Sequence, residues 1–160
     1  MRALGLAVSI NGKRSTVSAV VLDDHAAAGD PFDPNMMTVE SSFEVKGDQP
    51  DAAVHLGDAA KAVGGRVSSL RPDVVVVRRA DRPARPSNQE GPRLRLLVEG
   101  AITAAARNVV PNTHLRNGKD CGAAFGGTKE SLDREADRIH GGKFGEATAA
   151  AMSGLAANRA

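Results

Sequence analysis

The chain has 160 residues, a length that suits one domain with one hydrophobic core. It holds no Trp, no Tyr and four Phe, so the core is aliphatic and single-strand binding by stacked aromatic platforms is poorly supported. With 21 Lys and Arg against 19 Asp and Glu, the formal charge is only +2, so any anion-binding face must come from where charges lie rather than from their sum.

Residues 3–8 and 16–22 are apolar runs joined by Asn11-Gly12-Lys13-Arg14, a hairpin signal because Asn and Gly accept positive φ. Residues 25–35 hold Gly29, Pro31 and Pro34 and read as a loop. Residues 36–45 alternate, with Val39, Ser41, Phe43 and Val45 on one side and Glu40, Ser42 and Glu44 on the other, which predicts a strand near a sheet edge. From Pro50 the period changes to three and four. Ala53, Leu56, Ala60, Val63, Val67 and Leu70 predict a helix with Pro50 in its first turn and Pro72 past its end.

Asp73-Val74-Val75-Val76-Val77 reads as a strand covered on both faces. A loop from Arg78 to Glu90 follows, then a helix after Gly91-Pro92 with Leu94, Leu97, Val98, Ala101, Ile102 and Ala105 inward. Residues 114–125 predict a weak fifth strand interrupted by Gly118 and Gly122. Thr128 is placed to cap a helix carrying Leu132, Ala136 and Ile139, with Glu130 in its first turn. After Gly141-Gly142 a last helix bears Phe144, Ala147, Ala151, Met152 and Leu155, and residues 157–160 are expected to fray. The predicted order is β-β-β-α-β-α-β-α-α: an α/β domain over residues 1–160, with a mixed five-stranded sheet and helices on both faces.

The lone Cys121 excludes an internal disulfide framework and a cysteine-rich zinc site. Met1-Arg2-Ala3-Leu4 lacks a signal-peptide apolar region, and no apolar run approaches the ~20 residues of a membrane span. A cytoplasmic location with no membrane partner is the expectation. His25, His55, His114 and His140 are scattered without ligand spacing and are expected at the surface or partly packed. Ser9 and Ser15 give no triad signature.

Five local features in this order resemble RuvC-type Holliday junction resolvases of the RNase H-like superfamily. They are Leu4-Gly5-Leu6, Leu70-Arg71-Pro72-Asp73 entering a valine strand, Leu97-Val98-Glu99-Gly100-Ala101, Gly126-Gly127-Thr128-Lys129, and the final alanine-rich helix. The resemblance spans nearly the whole chain and implies an RNase H-like fold. Chemistry in that family uses a carboxylate cluster holding two Mg²⁺ ions. Carried over residue by residue, the first-strand aspartate falls on Ala7, the fourth-strand glutamate on Arg78, and the last-helix acids near Lys143 and on Glu146. One acid beside an Arg and a Lys does not hold two divalent cations. The expectation is therefore a non-catalytic relative with no metal and no cofactor, Mg²⁺ entering only if a rearranged nuclease site survives around Glu146, Glu99 and Lys129.

Arg78, Arg79, Arg82, Arg85, Arg93 and Arg95, with Lys129 and Lys143, are the candidate nucleic-acid contacts, since guanidinium groups match phosphate with paired hydrogen bonds. The amides of Gly126-Gly127-Thr128 opening a helix add a candidate phosphate cradle. Gly122-x-x-x-x-Gly127-Thr128-Lys129 is a near miss to the nucleotide-binding P-loop, with Lys and Thr exchanged. Glu99 reads as a surface carboxylate or one approaching Glu146. The resemblance also implies a homodimer, and a scaffolding or assembly role through self-association or a protein partner is the second reading.

Overall fold

In the computed structural model, which describes residues 1–81 and 89–160, β1 (Arg2–Asn11) and β2 (Arg14–Asp24) form an antiparallel hairpin. The turn centres on Gly12-Lys13, and only Gly12 takes positive φ, at 62°. Asn11 therefore belongs to the strand, and the turn is of the kind with glycine at its first central position.

On the other side of β2, β3 (Met37–Gly47) runs antiparallel as an edge strand. Its ladder slips between Val21 and Leu22, which pair with Ser41 and Val39. Glu40 is the extra residue of this bulge, so the expected alternation holds only from Ser41 onward and Val39 falls on the opposite face. Residues 114–125 also depart from expectation: β5 is short (Thr113–Arg116), and a helix, α3 (Gly118–Phe125), follows at once.

Helix α1 (Ala52–Leu70) starts later than Pro50, because the Asp51 carboxylate accepts from the Val54 amide at 2.9 Å and is the cap. It ends where Arg71 turns left-handed, φ 48°. The chain then enters β4 (Val74–Arg78), parallel to β1, and Asp73 accepts the Arg2 amide at 2.7 Å at the strand entry. Helix α2 (Glu90–Val109) returns the chain to β5, parallel to β4. The sheet order is β3-β2-β1-β4-β5.

Two faces of the sheet carry two cores. Leu4, Leu6 and Val8 of β1 pack with Val75 and Val77 against Val63, Val67, Val98 and Ile102 of α1 and α2. Ala3 and Ala7 pack with Val74 and Val76 against α3, α4 (Lys129–His140) and α5 (Gly145–Arg159). Helix α5 is buried from Ala147 to Ala156 and lies so close that a Cβ on Gly5 would stand 1.9 Å from the Ala147 carbonyl oxygen. The alanines of α5 and the glycine of β1 are what allow this approach.

Candidate functional site

One transverse row crosses the sheet near the ends of β4 and β5. Glu44 of β3 pairs with Ser18 of β2, Ser18 with Ala7 of β1, Ala7 with Arg78 of β4, and Arg78 with Arg116 of β5. In open α/β sheets ligands gather beyond the carboxyl ends of the parallel strands, which is where Arg78 stands.

Arg78 is 2% exposed. Its guanidinium donates twice to Asp133 of α4, Nη1 to Oδ1 at 2.5 Å and Nη2 to Oδ2 at 3.2 Å. Burial alone would push the Asp133 carboxyl up, but the hydrogen bond and charge of Arg78, with Lys129 beside it, more than offset this and hold it below the usual carboxylate range. Lys129, one turn earlier on α4, places its ammonium 3.6 Å from Asp133 and 3.6 Å from Asp81. Asp81 also accepts the Gly118 amide at the start of α3, at 2.9 Å. A Cβ on Gly118 would meet the Lys129 stem at 2.6 Å and Arg78 Nη2 at 2.8 Å, so this glycine makes room for both cations.

A second cluster lies between α2 and α5. Arg95 donates from Nε to Glu99 Oε1 at 2.8 Å and from Nη2 to Glu146 Oε2 at 3.2 Å. Glu99 Oε1 also accepts the Ala80 amide at 2.9 Å, whereas Oε2 is buried with no hydrogen-bond partner among the described residues. The surface reading of Glu99 is thus corrected: it is 1% exposed, because it sits between Val98 and Ile102 on the buried side of α2. Burial raises its pKa above the ordinary carboxylate value. Arg95 and the Ala80 amide oppose the shift, and the charge of Glu146 adds to it.

The remaining cations divide between paired and open. Lys143 is turned toward the sheet edge, with its ammonium 3.2 Å from Glu44 and above the Phe144 ring; its candidate place beside Arg78 gives way to this pairing. Arg93 stands 3.7 Å from Glu90, one turn earlier, and stays 58% exposed. Arg79 is half-buried and, among the described residues, its side chain has no acidic partner. Arg82 and Arg85 lie outside the described residues. Arg79, Arg93, Arg95 and Glu99 line a cavity of about 790 Å³ with apolar walls from Ile10 and Leu96.

The Gly-rich segment is structural in its local bonding. Gly126 caps α3 with φ 88°, and Thr128 and Ser131 exchange a reciprocal capping box at the start of α4. Gly122 lies inside α3, where a Cβ would come within 2.4 Å of the Lys129 amide nitrogen, so the P-loop spacing does not form a loop. With the ammonium of Lys129 held between two aspartates, the phosphate cradle loses its cation. Cys121 is fully buried, and burial pushes its thiol up.

Asp81 and Asp133 are partners that the sequence alone does not single out. Asp133 follows the buried Leu132 and lies four residues after Lys129, a helix-face spacing that pairs opposite charges. Its bond to Arg78 joins residues 55 apart and has no local signal.

Fit to a divalent pair is poor. Ala7 offers no ligand, Arg78 brings a positive charge, and among the described residues no group of three or more His, Cys, Asp or Glu side chains gathers to hold a metal ion.

No protein-family model matches the chain, and no curated protein matches it. Solved structures do. The Thermus thermophilus RuvC structure superposes with a TM-score of 0.71 at 17% identity, covering 99% of this chain and 96% of that one. RuvC from the same organism in complex with a Holliday junction substrate gives 0.69 at 18% identity, covering 99% and 95%. At such low identity over nearly the whole of both chains, likeness of this kind speaks for architecture, and the architecture of this chain is the RuvC-like form of the RNase H-like fold.

Proposed function

We propose that this chain binds structured or duplex nucleic acid and does not cleave it. The observation that carries the reading is the ladder pair Ala7–Arg78 with Arg78 locked onto Asp133. Where the resemblance places two metal-holding acids, the chain has a methyl group and a guanidinium already matched to its own carboxylate. Metal-dependent hydrolysis lacks its ligands there, while the same end of the sheet presents cations at its rim.

Not all eight candidate cations serve equally in this reading. Arg78, Lys129 and Lys143 are held by Asp133, Asp81 and Glu44 and organise the protein. Arg79 and the exposed Arg93 are the backbone contacts, with Arg82 and Arg85 of the adjoining segment assigned the same role from the sequence. Arg95 is shared with Glu99 and Glu146 and orders the rim. A Holliday junction substrate is named for one of the similar structures, which makes a four-way junction the first ligand to try.

A homodimer, acting in the cytoplasm, completes the proposal. Leu97, expected inward but 51% exposed on α2 beside the more open Leu96 at 61%, supports self-association and is the feature favouring the assembly reading. Sedimentation of the Leu97→Glu variant against the parent protein tests that part.

Binding is tested by fluorescence anisotropy with labelled four-way, duplex and single-stranded DNA and RNA across a salt series. Each lost phosphate contact should lower the slope of log affinity against log salt by about 0.9 on duplex. Arg79→Glu with Arg93→Glu should weaken duplex and junction binding at least about tenfold and flatten the slope by about two such steps. No binding at low salt, or binding indifferent to both substitutions, contradicts the proposal.

A further inference from the structure

The two outer strands of the sheet, β3 and β5, present edges that are built differently. On β3 the acids are matched: Glu40 lies 2.6 Å from Arg2 and Glu44 lies 3.2 Å from Lys143, and the bulge at Glu40 breaks the regular ladder. Charged side chains and bulges of this kind blunt an edge against further pairing. By contrast, β5 keeps an unbroken register with β4, and the charges at its two ends are of one sign.

The ladder fixes which backbone groups of β5 are left over. The Val75 amide donates to the Asn112 carbonyl at 3.0 Å and the Arg79 amide to the Arg116 carbonyl at 2.9 Å, so Arg116 and His114 turn their backbone toward β4. The residue between them points its N–H and C=O the other way. That residue is Leu115, and among the described residues no strand meets its open side. Its side chain is 42% exposed. An open donor and acceptor beside an accessible apolar side chain are what strand addition uses.

Cations bracket this strand. Arg107, at the end of α2, donates to the Pro111 carbonyl just ahead of β5. Arg116, the last residue of β5, donates to the Ser153 carbonyl at 3.2 Å. Neither guanidinium forms an ion pair with an Asp or Glu among the described residues, and Asp120 of α3, the nearest acid along the chain, pairs with neither. His114 registers the excess charge: its pKa is lowered by burial first, then by the positive charges of Arg116 and Arg107.

These features select the occupant. Antiparallel pairing of two β5 strands about Leu115 would set His114 opposite Arg116 and double the guanidinium charge, so a second copy of this chain does not suit the edge. A phosphate backbone would meet the arginines and leave the Leu115 backbone groups unused. An extended peptide with acids around an apolar residue uses all of them. We propose that the outer edge of β5 takes an acidic, extended segment of a partner protein as an added strand, with backbone hydrogen bonds at Leu115 and carboxylates meeting Arg107 and Arg116. This surface is separate from the Arg79 and Arg93 rim and does not rest on the nucleic-acid reading.

The test uses the whole chain and four probes. They are a labelled peptide of alternating Glu and Val, its counterpart of alternating Lys and Val, the Glu-Val peptide with its central Val replaced by Pro, and a paired DNA duplex. The Glu-Val peptide should bind at low salt and the Lys-Val peptide should not. Proline removes a strand donor, so that peptide should bind about fivefold or more weakly than its parent. It probes the unaltered protein, so the comparison stands even if a variant fails to fold. Exchange of the Leu115 amide with solvent, followed by NMR, should slow when the Glu-Val peptide is added. Arg107→Glu with Arg116→Glu should weaken peptide binding at least about tenfold and duplex binding much less.

Equal affinity for the Glu-Val and Lys-Val peptides, indifference to proline, or unchanged exchange at Leu115 overturns the proposal. Loss of duplex binding as large as the loss of peptide binding in the double variant assigns the edge to phosphate contact instead and overturns it as well.

Discussion

Ala7 and Arg78 are register partners in the parallel β1–β4 ladder, and both face the side of the sheet covered by α3, α4 and α5. A small residue beside the guanidinium leaves it room to reach Asp133 on α4. The two positions that the RuvC resemblance assigns to acids therefore work as one unit of another kind, in which the protein supplies the charge and its counter-charge. That arrangement makes the site a joint between sheet and helix.

Breaking the joint should be costly. Asp133→Asn leaves the buried Arg78 guanidinium without its counter-ion and should destabilise the fold by about 2–4 kcal/mol, the lower end reflecting the partial exposure of Asp133. The double variant Arg78→Met, Asp133→Leu should recover most of the loss, because it removes both charges and fills the space. Urea midpoints for the three proteins check this; a double variant as unstable as the single one speaks against the pairing.

Acid and base titrations should separate the two clusters. Asp133 is held below its ordinary pKa of 3.8, so the stability it contributes is present above that value and is lost as pH falls through the lower folded value. Glu99 is raised above 4.5, so the opposite sign applies. Both states are protonated at low pH, and the penalty for ionising Glu99 in the fold grows as pH rises from 4.5 through the raised value. Stability of the parent protein relative to Glu99→Gln should therefore fall with rising pH in that window. A difference that stays flat contradicts the burial of an ionisable Glu99.

Gly5→Ala should be among the most damaging single-methyl additions in the chain. The new carbon would lie 1.9 Å from Ala147 O and 2.6 Å from Ala151 N, both backbone atoms of a fully packed helix. A loss of about 3 kcal/mol or more, or failure to accumulate as folded protein, is expected. Gly57→Ala, in α1 with open space around it, should instead gain about 0.5–1 kcal/mol. Thermal unfolding of the pair distinguishes close approach from general intolerance.

His55 is a structural tie, buried more fully than the surface or partly packed place expected of it. It is 2% exposed, with Nε2 2.6 Å from Ser15 Oγ and Nδ1 3.3 Å from the Gln49 carbonyl. The carbonyl requires the proton on Nδ1, so Nε2 accepts from the Ser15 hydroxyl. This fixes the start of α1 against β2 and the end of β3. His55→Ala should cost about 2–3 kcal/mol and Ser15→Ala about 1–2, in the same chemical denaturation experiment.

Most of the fold was legible because its signals are local. The valine run of β4, the period of α1 and α2, the Thr128 cap and the edge character of β3 follow from patterns within a few residues. What escaped depends on distant partners. Helix α3 was hidden by Gly118 and Gly122, glycines that serve close contact with Arg78, Lys129 and the start of α4 rather than a broken strand. The bulge at Glu40 appears only when β3 is laid against β2. The resemblance drew attention to positions 7, 78 and 146, whereas the pairing of Arg78 with Asp133, the burial of Glu99 and the turn of Lys143 toward Glu44 are long-range outcomes that no short window encodes.

The most direct test measures binding and cleavage together on one labelled four-way junction, at low salt, with Mg²⁺ or Mn²⁺ present. Salt-sensitive binding that weakens with Arg79→Glu and Arg93→Glu, and a junction recovered intact after prolonged incubation, is the predicted result. Metal-dependent strand cleavage that disappears in Glu146→Gln would contradict it and restore a nuclease.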